Sequence, residues 1–176
     1  MTQPDESRPV QGSLAPVSAR VGFGHDSHPF GPGDGLRLGG IEIAAAPRLA
    51  GHSDGDVALH AVADALLGAA GLGDLGRLFP ADARTPKGIA SGAMLREVVA
   101  RLAGAGFRPG SVDLVIVGAR PRLGDRLDAM RAAVADLLGL PEAAVNVKAS
   151  TGNLAGDEGA GRSISARAVA TVEGIA

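Results

Sequence analysis

The amino-acid sequence predicts an α+β fold, a sandwich-like α/β arrangement in which a mixed four-stranded sheet carries its helices on one face. The first observation is length, since 176 residues suffice for one domain with a real hydrophobic core. The second is composition, since 45% hydrophobic and 20% charged residues are typical of a globular protein. The third is pattern, because strand-like segments alternate with segments whose apolar residues recur every three or four positions.

The domain is predicted to span residues 19–176 and to follow a disordered tail at residues 1–18. The tail is polar and contains Pro4, Pro9 and Pro16, with acidic residues early and no apolar segment of the kind found in signal peptides. We find no internal repeat and no second domain in the sequence.

The N-terminal half is predicted to form two strands and one long helix. A short strand leads into a turn around Asp26 and His28, and Ser53 or Asp54 caps the helix. The predicted elements are, in order, a strand at 19–24, a turn at 31–35, a strand with a central glycine bend at 36–43, a helix at 56–70, and a loop at 77–90.

The C-terminal half is predicted to alternate helices and strands. The nearly continuous apolar segment at 112–117 is typical of a strand that is buried on both faces. The predicted elements are, in order, a helix from about Ser91 to the glycines at 104–106, a strand at 112–117, a helix at about 125–138, a strand at 145–149, a glycine-rich loop at 152–161, and a strand at 163–172.

Composition and charge exclude several classes of function. The formal net charge is −2, with no Trp, no Tyr and four Phe, which argues against a nucleic-acid partner. The chain has no Cys, which excludes disulfides, thiolate metal ligands and a cysteine nucleophile. No apolar run approaches the length of a membrane span, so we expect no membrane partner and a cytoplasmic location.

All four histidines lie in two short segments, at residues 22–30 and 52–60. Asp26 and His28 are two positions apart, so in extended backbone their side chains point to the same side. His60 lies in the predicted helix and is a candidate third ligand. Two histidines and one carboxylate form a common zinc site with an open fourth position. The alternative reading is a set of surface or helix-capping polar residues that bind no metal.

The predicted helix gives His60 two acidic neighbours. Asp56 and Asp64 lie four positions away on either side and therefore share a helix face with it, whereas Leu59, Leu66 and Ala70 point into the core. A solvated face is the simpler interpretation. We expect instead that these acids orient the histidine as a metal ligand.

Several motifs give the chain a family resemblance. They are G-x-D-x-H at 24–28, H-S-D-G-D-V-x-x-H at 52–60, D-A-L-L-G-A-A-x-L-G-D at 64–74, L-F-P at 78–80 and V-N-V-K-A at 145–149. The sequence resembles the 2-C-methyl-D-erythritol 2,4-cyclodiphosphate synthases of the non-mevalonate isoprenoid (MEP) pathway, from about Arg20 to Glu173. The second motif is the most specific.

The resemblance implies a homotrimer with active sites between neighbouring subunits. It implies Zn²⁺ on Asp26, His28 and His60, and His52 and Thr151 as the catalytic residues that stabilise the transition state. The substrate would be a cytidine diphosphate ester of methylerythritol 2-phosphate, whose own 2-phosphate attacks the β-phosphorus and expels CMP. A second divalent ion, Mg²⁺ or Mn²⁺, is expected between the α- and β-phosphates.

The resemblance also implies which residues bind the substrate around the phosphates, the methylerythritol part and the cytidine. They are Asp26, His28, His52, Ser53, Asp74, Leu75, Gly76, Phe79, Pro80, Ala81, Asp82, Ala83, Gly118, Ala119, Arg120, Pro121, Arg122, Leu123, Gly124, Ser150, Thr151, Gly152 and Asn153.

The sequence departs from the family pattern on the nucleotide side. Asn153 stands where an acid usually binds the second ion, Ala160 stands where an Arg is usual, and Ala81 and Ala83 replace two Asp residues. Asp157 or Glu158 is a candidate replacement for the missing acid. One interpretation is sequence drift within an active cyclase, and another is a changed substrate. The chain could also be a weakened or non-catalytic trimer that binds an isoprenoid-type diphosphate, or a zinc phosphohydrolase in which water replaces the attacking phosphate.

Overall fold

A computed structural model describes residues 19–175, so the tail predicted at residues 1–18 lies outside the described residues. The strands are β1 (Ala19–Leu38), β2 (Ile41–Leu49), β3 (Phe107–Val117), β4 (Val145–Ser150) and β5 (Ser163–Gly174). The helices are α1 (Val57–Ala70), α2 (Leu75–Leu78), α3 (Ser91–Gly104), α4 (Leu127–Leu138) and α5 (Gly156–Gly159).

The sheet is mixed, as predicted, but it has five strands rather than four, in the order β2-β1-β5-β3-β4. All neighbours pair antiparallel except β3 and β4, which are parallel. The four-strand prediction is wrong, and the strand predicted at 36–43 is instead a hairpin. Gly39 and Gly40 have φ of 62° and 82° and turn the chain between β1 and β2, a conformation that glycine adopts without steric penalty.

Strand β1 is much longer than predicted and changes partner along its length. Its first part, up to Pro29, pairs with β5, and its second part, from Phe30, pairs with β2. The turn predicted at 31–35 is wrong because this stretch remains in β1, with register shifts on both sides of Asp34. Asp26 and His28 therefore lie within a strand and not in a turn, and this strand fixes their side chains on one side.

Helix α1 packs directly on the backbone of β1. A Cβ atom on Gly22 or Gly24 would lie 2.0 Å from the carbonyl oxygen of Ala65 or Ala61, respectively, so only glycine permits this approach. Twelve of the 14 residues of α1 are buried, including Leu59, which was predicted to point into the core. The close approach places α1 beside the segment of β1 that carries Asp26 and His28.

Asp56 caps α1, so the cap predicted at Ser53 or Asp54 is wrong. The buried carboxylate of Asp56 accepts hydrogen bonds from the backbone N–H of Leu59 in α1 and of Gly39 and Gly40 in the hairpin, at 3.1, 2.8 and 2.7 Å. One side chain therefore joins the start of α1 to the turn between β1 and β2.

The remaining elements agree with the predicted order and differ at their ends. The loop predicted at 77–90 begins later because α2 extends to Leu78, and β3 begins earlier than expected, at Phe107. A 3-10 turn at Gly124–Arg126 precedes α4, and the glycine-rich loop contains another at Gly152–Leu154 before α5. Within residues 19–175, no helix is long and apolar enough to cross a membrane.

Candidate metal centre

Three side chains from β1 and α1 converge at one point. Asp26 Oδ2 lies 2.9 Å from His28 Nε2 and 2.8 Å from His60 Nδ1, and the two ring nitrogens are 3.4 Å apart. Donor atoms at this spacing suit an ion whose bonds to nitrogen and oxygen are about 2.0–2.2 Å long. Asp26, His28 and His60 therefore form a potential divalent-metal site.

Hydrogen bonds on the far side of each ring orient the two histidines. His28 Nδ1 lies 2.6 Å from the carbonyl oxygen of Ala50, which can only accept, so this nitrogen carries the proton. His60 Nε2 lies 3.1 Å from Ser53 Oγ and 2.9 Å from Ser91 Oγ. In the metal-free protein the nitrogens that face Asp26 hydrogen-bond to its carboxylate, and a metal ion would displace those protons and bind the lone pairs, as in other metal-binding histidines. The residues present thus fit a metal ion.

The charges of this cluster depend on mutual hydrogen bonding. Burial alone would raise the pKa of Asp26, but hydrogen bonds from His28 and His60 outweigh burial and hold the pKa well below its usual range. The hydrogen bond to Asp26 raises the pKa of His28, with burial opposing it. In the metal-free protein Asp26 is therefore an anion beside a histidine that holds its proton more tightly than usual.

The two acids expected to orient His60 do not do so. The carboxylate of Asp56 is used by the helix cap and the hairpin, and Asp64 accepts a hydrogen bond from the backbone N–H of Leu75 at 2.7 Å. That prediction is wrong because a helix face fixes direction only approximately, and backbone donors from other segments reach both carboxylates. The serines that contact His60 come from the preceding loop and from the start of α3.

The cluster lies in a cavity of about 270 Å³ that collects many of the predicted site residues. His52 Nε2 donates to the carbonyl oxygen of Thr85 at 2.8 Å, which fixes the position of its ring. The lining residues are Asp26, His28, His52, Ser53, His60, Asp64, Leu75, Gly76, Phe79, Ala81, Thr85, Ile89 and Met94. Burial raises the pKa of Asp64, with the N–H of Leu75 opposing the effect.

A separate cavity of about 200 Å³ lies where β3 and β4 end. Its lining includes Gly118, Ala119, Pro121, Arg122, Leu123, Gly124, Ser150 and Thr151, all predicted to bind substrate. β1 and β4 are three strand positions apart in the sheet, roughly 14 Å at the usual strand spacing. One chain therefore places His52 and Thr151, the predicted catalytic residues, in different cavities.

Seven predicted substrate residues line neither of these two cavities. Asp74 caps α2 and pairs with Arg77, Asp82 pairs with Arg84, and the Arg120 guanidinium lies 4.7 Å from the centre of the Phe30 ring. The other four are Pro80, Ala83, Gly152 and Asn153. Their roles in substrate binding stay predictions.

In the remodelled loop, Asn153 lies at the surface and one of the two nearby acids is already in an ion pair. Asn153 is exposed with φ of 55°, a left-handed conformation that asparagine tolerates. Asp157, one of the two candidate replacements, is paired with Arg162.

Sequence reasoning missed Ser91, Thr85, Ile89 and Met94 as site residues. Ser91 was identified only as the start of a helix, and nothing in its local pattern connects it to a histidine 31 positions earlier. The available signal was a hydroxyl residue at a helix start, which is common wherever helices begin.

The fold and the site together define a class of protein: an α+β domain that carries a candidate Asp/His/His metal centre between a sheet strand and the helix packed on it. The sequence profile of the YgbB family matches residues 19–173. The chain belongs to the YgbB family, and its curated relatives confirm the resemblance drawn from the motifs.

Three relatives illustrate the match. A 2-C-methyl-D-erythritol 2,4-cyclodiphosphate synthase of Methylococcus capsulatus is 50% identical over 86% of this chain and 96% of its own length. A bifunctional enzyme IspD/IspF of Anaeromyxobacter sp. is 47% identical over 97% of this chain, and the chain spans only 44% of that relative. A solved 2C-methyl-D-erythritol-2,4-cyclodiphosphate synthase in its CDP-bound form superposes with a TM-score of 0.76 at 37% identity, covering 88% of this chain and all (100%) of that one.

Proposed function

We propose that this chain converts 4-diphosphocytidyl-2-C-methyl-D-erythritol 2-phosphate to 2-C-methyl-D-erythritol 2,4-cyclodiphosphate in the non-mevalonate isoprenoid pathway. The observation that carries the proposal is the Asp26, His28 and His60 cluster at a cavity of a YgbB-family domain. The CDP-bound relative supports a cytidine nucleotide as part of the substrate. In the reaction an oxygen of the 2-phosphate bonds to the β-phosphorus, the bond from that phosphorus to the CMP oxygen breaks, and CMP leaves.

Asp26, His28 and His60 would hold Zn²⁺, leaving its fourth position for the substrate. When bound, the ion supplies Lewis acidity toward a phosphate oxygen. The chain need not supply a nucleophile, because the attacking group belongs to the substrate, and this agrees with a sequence that has no Cys. The work left to the protein is to hold the reacting groups in line and to balance developing charge.

His52 is the residue best placed to balance the charge that develops on the phosphates. Thr85 anchors one ring nitrogen at 2.8 Å, so the ring keeps a fixed direction at the wall of the metal cavity. Its other nitrogen can donate to a phosphate oxygen only when it carries a proton. The apolar side chains of Leu75, Phe79 and Met94 line the same cavity and suit the carbon skeleton of methylerythritol.

The assembly we propose is a homotrimer in which neighbouring subunits complete each site. Val21, Phe23 and Val169 are 68%, 63% and 44% exposed on the sheet face opposite to α1, which is the kind of apolar surface that an oligomer buries. A shared site would also bring the metal cavity of one subunit to the nucleotide cavity of another. A single monomeric species in sedimentation at micromolar concentration would contradict the trimer.

The second divalent ion is expected to depend mainly on the substrate. Asn153 offers only a neutral carbonyl oxygen, a weaker ligand for Mg²⁺ or Mn²⁺ than a carboxylate. Asp157 is engaged by Arg162, which leaves it less available as a substitute. We therefore propose that phosphate oxygens and water provide most of the ligands to this ion.

The products of the reaction distinguish the candidate functions. Purified chain is incubated with the cytidyl substrate, Zn²⁺ and Mg²⁺, and followed by ³¹P NMR. A cyclase gives CMP and two coupled phosphorus signals from a cyclic diphosphate. A zinc phosphohydrolase gives CMP and two uncoupled monophosphates, and a binding protein gives neither. Either of the last two results would overturn the proposal.

A further inference from the structure

We propose that Ser91 is a positioning residue for the metal centre, and that Asp54 acts behind it. Together with His60 they form a hydrogen-bonded chain from a carboxylate through a hydroxyl to an imidazole. The inference rests on the proposed metal-dependent function, because it concerns how the chain holds one of the three candidate metal ligands.

The contacts of Ser91 define the chain. Its hydroxyl donates to Asp54 Oδ1, and its backbone N–H donates to Asp54 Oδ2 at 3.1 Å. Its Oγ lies 2.9 Å from His60 Nε2. The side chain is shielded from water, since Ser91 is only 1% exposed. Ser91 therefore contacts the metal-site histidine and an acid at the same time, and water does not compete for either contact.

The direction of each hydrogen bond follows from the groups involved. With a metal ion on the lone pair of His60 Nδ1, which faces Asp26, the proton of the neutral ring lies on His60 Nε2. The Ser91 hydroxyl proton points to the Asp54 carboxylate, which can only accept when ionised. The lone pairs of Ser91 Oγ are therefore available to accept the His60 N–H bond. The negative charge of Asp54 polarises this hydroxyl and strengthens the bond to His60.

Ser53 makes a weaker version of the same contact. Its Oγ lies 3.1 Å from His60 Nε2 and also accepts the backbone N–H of Gly55 at 3.1 Å. Among the described residues, no carboxylate forms a hydrogen bond with the Ser53 side chain. Of the two serines that face His60, Ser91 is thus the closer and the one that an acid polarises.

Two consequences are expected for the metal centre. The bond to Ser91 fixes the tautomer and ring orientation of His60, and it raises the basicity of Nδ1 toward a metal ion. Asp54 also joins the loop before α1 to the start of α3, because its carboxylate accepts from Ser91 and its backbone N–H donates to the carbonyl of Ile89, two residues before that helix, at 3.0 Å. Ser91 thereby couples the position of α3 to the direction of a ligand on α1.

The variant Ser91→Ala separates the positioning role from the structural one. It removes the hydroxyl but keeps the backbone N–H that Asp54 accepts at the start of α3. Zinc affinity is measured on metal-free full chain by competition with a chromophoric chelator. We expect Ser91→Ala to weaken zinc binding by roughly 10- to 100-fold, the range for outer partners of metal-binding histidines. Ser91→Thr, which restores a hydroxyl, should recover most of the affinity.

Matched variants complete the experiment. Ser27→Ala changes an exposed serine whose backbone N–H, kept in the variant, donates to Asp26, and it should leave the zinc affinity unchanged. Asp54→Asn keeps an acceptor for Ser91 but removes the charge, and should produce a smaller loss. This variant also serves as the test if Ser91→Ala does not fold. The chelator titration is accompanied by urea unfolding of each metal-free variant.

The outcomes are distinguishable. Zinc affinity of Ser91→Ala within twofold of the unaltered chain would overturn the positioning role and leave the proposed function intact. A loss of affinity that Ser91→Thr does not recover and that parallels a loss of metal-free stability would assign a purely structural role, which also overturns the inference. Failure of the unaltered chain to bind zinc would overturn both the metal centre and this role.

Discussion

Gly24 controls how closely α1 approaches the strand that carries two of the candidate metal ligands. In Gly24→Ala the new Cβ atom would lie 2.0 Å from the carbonyl oxygen of Ala61 and 2.6 Å from the backbone nitrogen of Ala65. Both contacts are with backbone, so no side-chain rotation relieves them. Restoring an ordinary separation of about 3.5 Å requires the helix and the strand to move apart by roughly 1–1.5 Å.

That displacement exceeds what the metal centre tolerates. His60 is part of α1, and its Nδ1 lies 2.8 Å from Asp26 Oδ2 on β1. Metal–ligand distances are held to within about 0.2 Å in working sites, so a shift on the order of 1 Å breaks the arrangement. We expect Gly24→Ala to lower the free energy of unfolding by about 1–3 kcal/mol or more, as overpacked cores do, and to abolish tight zinc binding.

Gly68 provides the matched control because it lies in the same helix and an added Cβ there would contact nothing within 4 Å. Gly68→Ala should raise the free energy of unfolding by roughly 0.5–1 kcal/mol, the usual helix preference for alanine over glycine. Its zinc affinity should not change. Urea unfolding and chelator competition measure both quantities. If Gly24→Ala matched the unaltered chain in stability and zinc affinity, the close packing of α1 on β1 would not build the site.

Three further predictions concern the cap, the protons and the remodelled loop. Asp56→Ala removes the acceptor of three backbone N–H groups, so urea unfolding should show a loss on the order of 3 kcal/mol; a loss below 1 kcal/mol would refute the account of the cap. Zinc affinity should fall by up to about tenfold per pH unit as pH drops through the raised pKa of His28, since the ion must displace the proton of that ring. The stability of the metal-free chain that is owed to this proton is fully present below about pH 6.5 and is lost as pH rises through the raised pKa. Chelator titrations and urea unfolding from pH 6 to 9 measure both trends, and the reverse trends would contradict the prediction. Asn153→Glu should lower the Mg²⁺ concentration needed for half-maximal CMP release, whereas the double change of Asp157 and Glu158 to Ala should change it little. Loss of activity in the double variant would place the second ion on those acids instead.

The sequence predicted the core of the candidate site because its signal is local. The two-residue spacing of Asp26 and His28 holds in any extended strand, and the position of His60 within an apolar periodic segment predicted a helix that α1 confirms. What brings these elements together is the glycine pair at Gly22 and Gly24, whose role appears only when a helix lies on the strand. The family resemblance supplied the rest of the expected site.

The errors share a physical cause, which is that tertiary contacts decide between locally equivalent options. The carboxylate of Asp56 was expected to orient His60, but it accepts hydrogen bonds from backbone N–H groups of the hairpin between β1 and β2 instead. Ser91 belongs to another helix, so no spacing rule connects it to the histidine it contacts. The hairpin of β1 and β2 was predicted as one strand at 36–43 because β1 changes partners midway, and a change of partner leaves no mark in the alternation of residues along a strand.

We propose that the Asp26, His28 and His60 centre makes this chain a metal-dependent cyclase. The most direct test measures CMP release by metal-free chain as Zn²⁺ is added stepwise in excess Mg²⁺, alongside the variant His28→Ala. We expect no turnover without zinc, a rate that rises in proportion to bound zinc and stops rising near one ion per chain, and no recovery in His28→Ala. Full turnover by zinc-free chain, or by His28→Ala, would contradict it.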